Sequence, residues 1–139
     1  MKNTLIILAF LLPSCASISD AIKAKDDGTA MNYPVTFDQG WKAALKVLRW
    51  VDAETIEEHK DENYMVTTIG GDFVSSGSVV AVWVEPLNKS VKVTCVTKRK
   101  ISTNLATGLT ETTFHKRFQQ AVDLIKAGKP LPADPPPMN

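Results

Sequence analysis

The run Val79-Val80-Ala81-Val82-Trp83-Val84 decides how this chain folds, because it is apolar at every position. Successive side chains of a strand point to opposite faces of its sheet. A strand apolar on both sets of positions belongs at the centre of a sheet with both faces in use. Pro86-Leu87-Asn88-Lys89 follows as a loop, and the run from Ser90 to Lys98 alternates, with Val91, Val93 and Cys95 on one face. These two runs read as an antiparallel hairpin. Upstream, Thr55 to Lys60 and Tyr64 to Ile69 flank the polar turn Asp61-Glu62-Asn63 and read as another hairpin.

Helices are expected on either side of these strands. Thr36 and Gln39 have capping-box spacing, so a helix begins near Phe37. Trp41, Ala44, Leu45, Leu48 and Val51 follow the 3.6-residue period, with Lys42, Lys46 and Arg49 on another face. Trp50 lies nearly opposite Trp41 on the helical wheel, so either this helix touches more than one neighbour or Trp50 is exposed. Phe114, Phe118, Ala121, Val122 and Ile125 mark a closing helix, ended by Gly128 and Pro130. Asn32-Tyr33-Pro34-Val35 suits an edge or lead-in strand, since proline lacks a ladder donor. The expected fold is α+β, an antiparallel sheet of about four to five strands with two helices packed on one face.

At the N-terminus, Lys2 precedes the apolar run Leu5 to Leu12, closed by Pro13-Ser14-Cys15. That is the order of a secretory signal, and the run is far shorter than the roughly 20 residues a membrane-crossing helix needs. Leu12-Pro13-Ser14-Cys15 resembles the lipobox of bacterial lipoproteins. The resemblance implies cleavage before Cys15, a diacylglycerol on its thiol and a fatty acid such as palmitate on the new amine. Each buried methylene adds about 0.8 kcal/mol, so several chains anchor durably. Ala16 stands where an aspartate favours inner-membrane retention, which by resemblance points to the periplasmic face of the outer membrane. Residues 1–14 are thus expected to be a signal peptide, 15–32 a lipidated cysteine and flexible tether with room for a short helix around Asp20 to Lys25 that lacks a broad apolar face, 33–128 a single domain, and 129–139 a proline-rich disordered tail.

The stretch Tyr33-Pro34 through Phe37-Asp38-x-x-Trp41-x-Ala43-Ala44-Leu45 resembles the opening of small bacterial lipoproteins with a strand-helix-strands-helix domain. The layout of residues 33–126 is more loosely similar to the helix-grip domains of the C subunit of the outer-membrane β-barrel assembly machine. Both resemblances imply a non-catalytic accessory or interaction module of the cell envelope. They transfer no catalytic residue and no cofactor. The partners they imply are the membrane, reached through lipid, and an envelope protein.

Loss of residues 1–14 would remove only Lys2 from the 16 Lys and Arg, against 15 Asp and Glu. Such balance argues against bulk nucleic-acid binding, which needs a basic surface. With Cys15 lipidated, Cys95 has no disulfide partner, and a mid-strand thiol reads as a small buried hydrophobe rather than a nucleophile. His59 and His115 lack the close spacing of a zinc site. No metal, cofactor or enzymatic activity is expected, and a Cys95-dependent cell-wall hydrolase is the weakest alternative. Small-ligand or lipid carriage in a cleft between helices and sheet stands ahead of it. The candidate partner-binding residues are Trp83 and the basic strand end Lys98-Arg99-Lys100. If Val80, Val82 and Val84 face the helices, Trp83 shares with Val79, Ala81, Thr94 and Val96 a face that the two helices leave open, the alternatives being a reversed register or cover by the 70–78 segment. Each basic residue would add about 1 kcal/mol near an anionic lipid surface.

Overall fold

The computed structural model describes residues 17–70, 77–99 and 110–139. The signal stretch, Cys15, Lys100, most of the Gly70 to Ser78 connection and the 100–109 connection lie outside the described residues. In chain order the elements are α1 (Ile18–Lys23), β1 (Thr29–Tyr33), α2 (Phe37–Trp50), β2 (Ala53–His59), β3 (Tyr64–Ile69), β4 (Ser78–Pro86), β5 (Val91–Arg99) and α3 (Glu111–Lys126). The strands form one antiparallel sheet in the order β1-β5-β4-β3-β2. The α+β architecture is therefore present, with β4 at its centre.

The capping box at α2 forms as its spacing requires. The Gln39 N–H donates to Thr36 Oγ1 at 3.2 Å, and the Thr36 N–H donates to Gln39 Oε1 at 3.0 Å. On the first face of the sheet, Trp41, Val47, Leu48, Phe114, Phe118 and Val122 pack with Val80, Val82, Val84, Val91, Val93 and Cys95. Burying each such valine contributes about 1.5–3 kcal/mol relative to leaving it exposed. The hairpin register sets Trp83 against Thr94 and Ala81 against Val96, so these residues share the second face.

Two expectations are overturned here. First, of the expected 15–32 tether, the described residues 17–32 are not flexible linker but form α1 and most of β1. The Ser17 hydroxyl accepts from the Asp20 N–H at 3.2 Å and the Asp20 carboxylate accepts from the Ser17 N–H at 2.9 Å, a second capping box. The helix it starts is only six residues long, and such a helix is marginal alone. Docking holds it: Ala21 and Ala24 are buried against Val66, Val79, Ala81, Trp83 and Val96. Small side chains let the helix lie close to the sheet, so α1 needs no broad apolar stripe. The chain then passes over β5 at Gly28, where a Cβ would stand 2.6 Å from Val96 Cγ2 and 2.8 Å from the Cys95 carbonyl oxygen. The second face is thus covered, and Trp83 is 5% exposed. It is a core residue, not an open docking patch.

Second, the tail is not unpacked. Gly128, at φ 69°, turns the chain after α3, and the Lys129 N–H donates to the Leu124 carbonyl at 2.9 Å while the Gly128 N–H reaches Ile125 at 3.0 Å. This paired closure ends the helix. Leu131 then packs against the main core, and the Trp50 indole N–H donates to the Pro132 carbonyl at 3.0 Å. Trp50 is buried because the tail is its second neighbour.

Ala21→Leu should lower the unfolding free energy by about 1–3 kcal/mol, because the added carbons have no space under α1. Urea denaturation checks this; unchanged stability would mean that α1 is not packed on Trp83.

Candidate functional site

Among the residues singled out in the sequence, Lys98 lies opposite Val79 and Arg99 opposite Ser78, at one end of the central hairpin. The first turn of α1 lies at that end. The Asp20 carboxyl is held below its ordinary value by the Ser17 backbone N–H and hydroxyl, with smaller contributions from the charges of Lys23 and Lys98. Beyond the other end of α1, Lys25 Nζ is 3.1 Å from Glu85 Oε2 and 5.7 Å from the centroid of the Trp83 ring. Since Glu85 pairs with Lys92, α1 runs along β4 away from Lys98. The structure therefore brings the first turn of α1 to the basic strand end and removes Trp83 from the surface.

A polar cluster that sequence reasoning missed joins α3 to the edge strand β1. The Thr29 N–H and hydroxyl donate to Glu111 Oε1 at 2.8 and 3.0 Å. The His115 Nε2 lies 2.8 Å from the Thr29 carbonyl oxygen, which can only accept, so Nε2 carries the proton. Nδ1 is then the acceptor for the Tyr33 hydroxyl at 2.6 Å. Side chains of α3 thus satisfy the outward backbone groups of Thr29 as a neighbouring strand would. Burial lowers the His115 pKa from its ordinary 6.5, opposed by the Thr29 carbonyl and the Glu111 charge. Burial also raises the Tyr33 phenol.

Cys95 is wholly buried, and burial, with a smaller contribution from Glu111, raises its thiol well above its ordinary value. Both nitrogens of His115 are engaged by Tyr33 and Thr29, so no Cys95–His115 nucleophile pair forms. His59 Nε2 is 2.8 Å from Glu57 Oε1, and the ring stacks on Tyr64. Among the described residues, no group of three or more His, Cys, Asp or Glu is placed to hold a metal ion. No described helix is long and apolar enough to cross a membrane.

Beside the cluster runs a mostly apolar groove of about 250 Å³, lined by Thr29, Met31, Thr112, His115, Lys116 and Gln119. Met31 is 46% exposed at its rim. The groove is smaller than the roughly 300–1,000 Å³ of sites that enclose small molecules. Comparison with known protein families, with characterised proteins and with solved structures found no match to this chain.

Tyr33→Phe leaves His115 Nδ1 buried without its donor, and should cost about 1–3 kcal/mol of stability at pH 7. Urea titration of the two chains tests it. His115 also makes stability depend on pH. With its folded pKa lowered, the unfolded chain binds the proton more readily, so this contribution is present above about pH 6.5 and lost as pH falls below it, until the folded imidazole itself protonates. The urea midpoint of the wild type should therefore drop between pH 7.5 and 5.5 by more than that of His115→Gln.

Proposed function

We propose that this chain is a lipid-anchored periplasmic lipoprotein of the outer membrane that acts as a non-catalytic accessory or interaction module of the envelope. The observation that carries the reading is how closely the lipobox-like sequence abuts the fold. Ser17 caps α1, so Ala16 alone separates it from Cys15. Two residue steps reach at most about 7 Å. With lipid on Cys15, the domain is held against the headgroups rather than swung on a tether.

That placement turns the Lys98 end of the hairpin toward the bilayer, where a basic side chain meets lipid phosphates. The opposite loop, with Leu87 44% exposed, then points into the periplasm and is open to an envelope protein. The inaccessible Cys95 thiol supports a role without nucleophilic catalysis. A second reading, carriage of a small apolar ligand, draws on the groove beside Met31, whose volume suits a single side chain or a very small molecule.

Radiolabelled palmitate should enter the wild-type chain and not Cys15→Ser. Fluorophores placed through Lys98→Cys and Asn88→Cys lie about 25–30 Å apart along the hairpin. In vesicles carrying quencher lipids, the site at 98 should be quenched several-fold more than the site at 88. Palmitate incorporation into Cys15→Ser would overturn the anchor, and equal quenching at the two sites would overturn the orientation.

A further inference from the structure

A proline-rich segment offers carbonyls but few N–H groups, so a surface that reads one must supply donors beside an apolar wall. The α2 and α3 pair does this. Trp50 Nε1 donates to the Pro132 carbonyl at 3.0 Å, Gln120 Nε2 to the Pro137 carbonyl at 2.8 Å, and Arg117 Nη1 to the Pro136 carbonyl. Arg117 Nη1 also donates to Gln120 Oε1 at 2.9 Å, which orients both side chains. The Trp50 ring adds apolar wall, and Leu131 packs into the core beside it.

These donors lie 82, 19 and 17 residues from the carbonyls they meet, so the recognition surface belongs to the helices and not to the tail's own neighbours. The hold beyond Leu131 is shallow. From Pro132 to Asn139 only Pro136 is partly buried, and Met138 is 43% exposed. A segment held by three hydrogen bonds, two part-buried and one exposed, with little side-chain burial of its own beyond Leu131, belongs to the low-stability end of a fold.

We infer that the α2–α3 face is a binding surface for an extended proline-rich segment of a partner protein, occupied in the resting chain by its own residues 131–137. The inference stands whether or not the chain is lipidated. The tail acts as a tethered competitor, at an effective concentration on the order of mM, so an incoming segment binds by displacing it. Specificity comes from carbonyls presented at the spacing of Trp50, Gln120 and Arg117, with a leading apolar residue in the place of Leu131.

The probe is a fluorescent peptide of sequence KPLPADPPPMN, with KGLGADGGGMN as its control. Fluorescence anisotropy should show the proline peptide binding a full-length chain whose residues 131–137 are replaced by Gly and Ser at least ~tenfold more tightly than the unaltered chain. Arg117→Ala and Trp50→Phe in that background should each weaken it, and the control peptide should not bind. Absence of binding to a tail-replaced chain that keeps its thermal transition, or equal binding by both chains, would overturn the inference. Should the tail-replaced chain not fold, a spin label at Asn139→Cys in a Cys15→Ser chain serves instead. Excess proline peptide should free the label, and an unchanged spectrum would overturn the inference.

Discussion

The constraint on which this structure depends is that β4 is apolar on both faces. A sheet centred on such a strand is stable only if both layers beside it are filled. The two longer helices fill one, where Val80, Val82 and Val84 meet Phe114, Phe118 and Leu48. The other is filled by a helix of six residues that buries Ala21, with its C-cap Ala24 buried beside it and Ile22 partly buried against the same cluster. That economy is possible because Trp83 supplies the bulk from the sheet side. Two consequences follow: the aromatic residue that looked like a docking patch is core, and the first turn of α1 is fixed beside Lys98.

The two sheet edges are protected in different ways. On β2, Glu54, Glu57 and Glu58 are exposed and the register shifts between Ala53 and Ile56, so charge and irregularity discourage pairing with another strand. On β1, Glu111 and His115 take the place of a neighbouring strand at Thr29. This ties α3 to the edge and gives the buried histidine its structural work, which explains why its nitrogens are unavailable for chemistry.

The sheet and the longer helices were legible because their signals are local: the period of α2, the capping box at Thr36, the alternation of β5 and the all-apolar β4. The face assignment of Trp83 also followed from alternation. What covers it did not, because α1 offers only a narrow apolar side, Ala21 and Ile22, and reads as linker unless the Ser17–Asp20 capping pair is weighed. The tail reads as disordered by composition, since proline-rich sequence lacks an interior pattern of its own; the one clue was Trp50, whose place on the wheel asked for a second neighbour. The Tyr33–His115–Thr29 cluster joins residues more than 80 positions apart, and spacing within a motif carries no information about such a contact.

A docked α1 is therefore the hinge between the fold and its proposed place at the membrane. It puts a helix where a flexible tether was expected, and, if Cys15 carries the proposed lipid, the Lys98 end of the hairpin lies nearest that anchor. Amide hydrogen exchange on the unaltered chain tests this most directly, because the N–H groups of Ala21 and Ala24 bond to the carbonyls of Ser17 and Asp20 only when the helix is formed. The account predicts that both amides exchange far more slowly than in an unstructured peptide. Exchange of both at the unstructured rate, with the β4 amides still protected, would restore the flexible tether and contradict it.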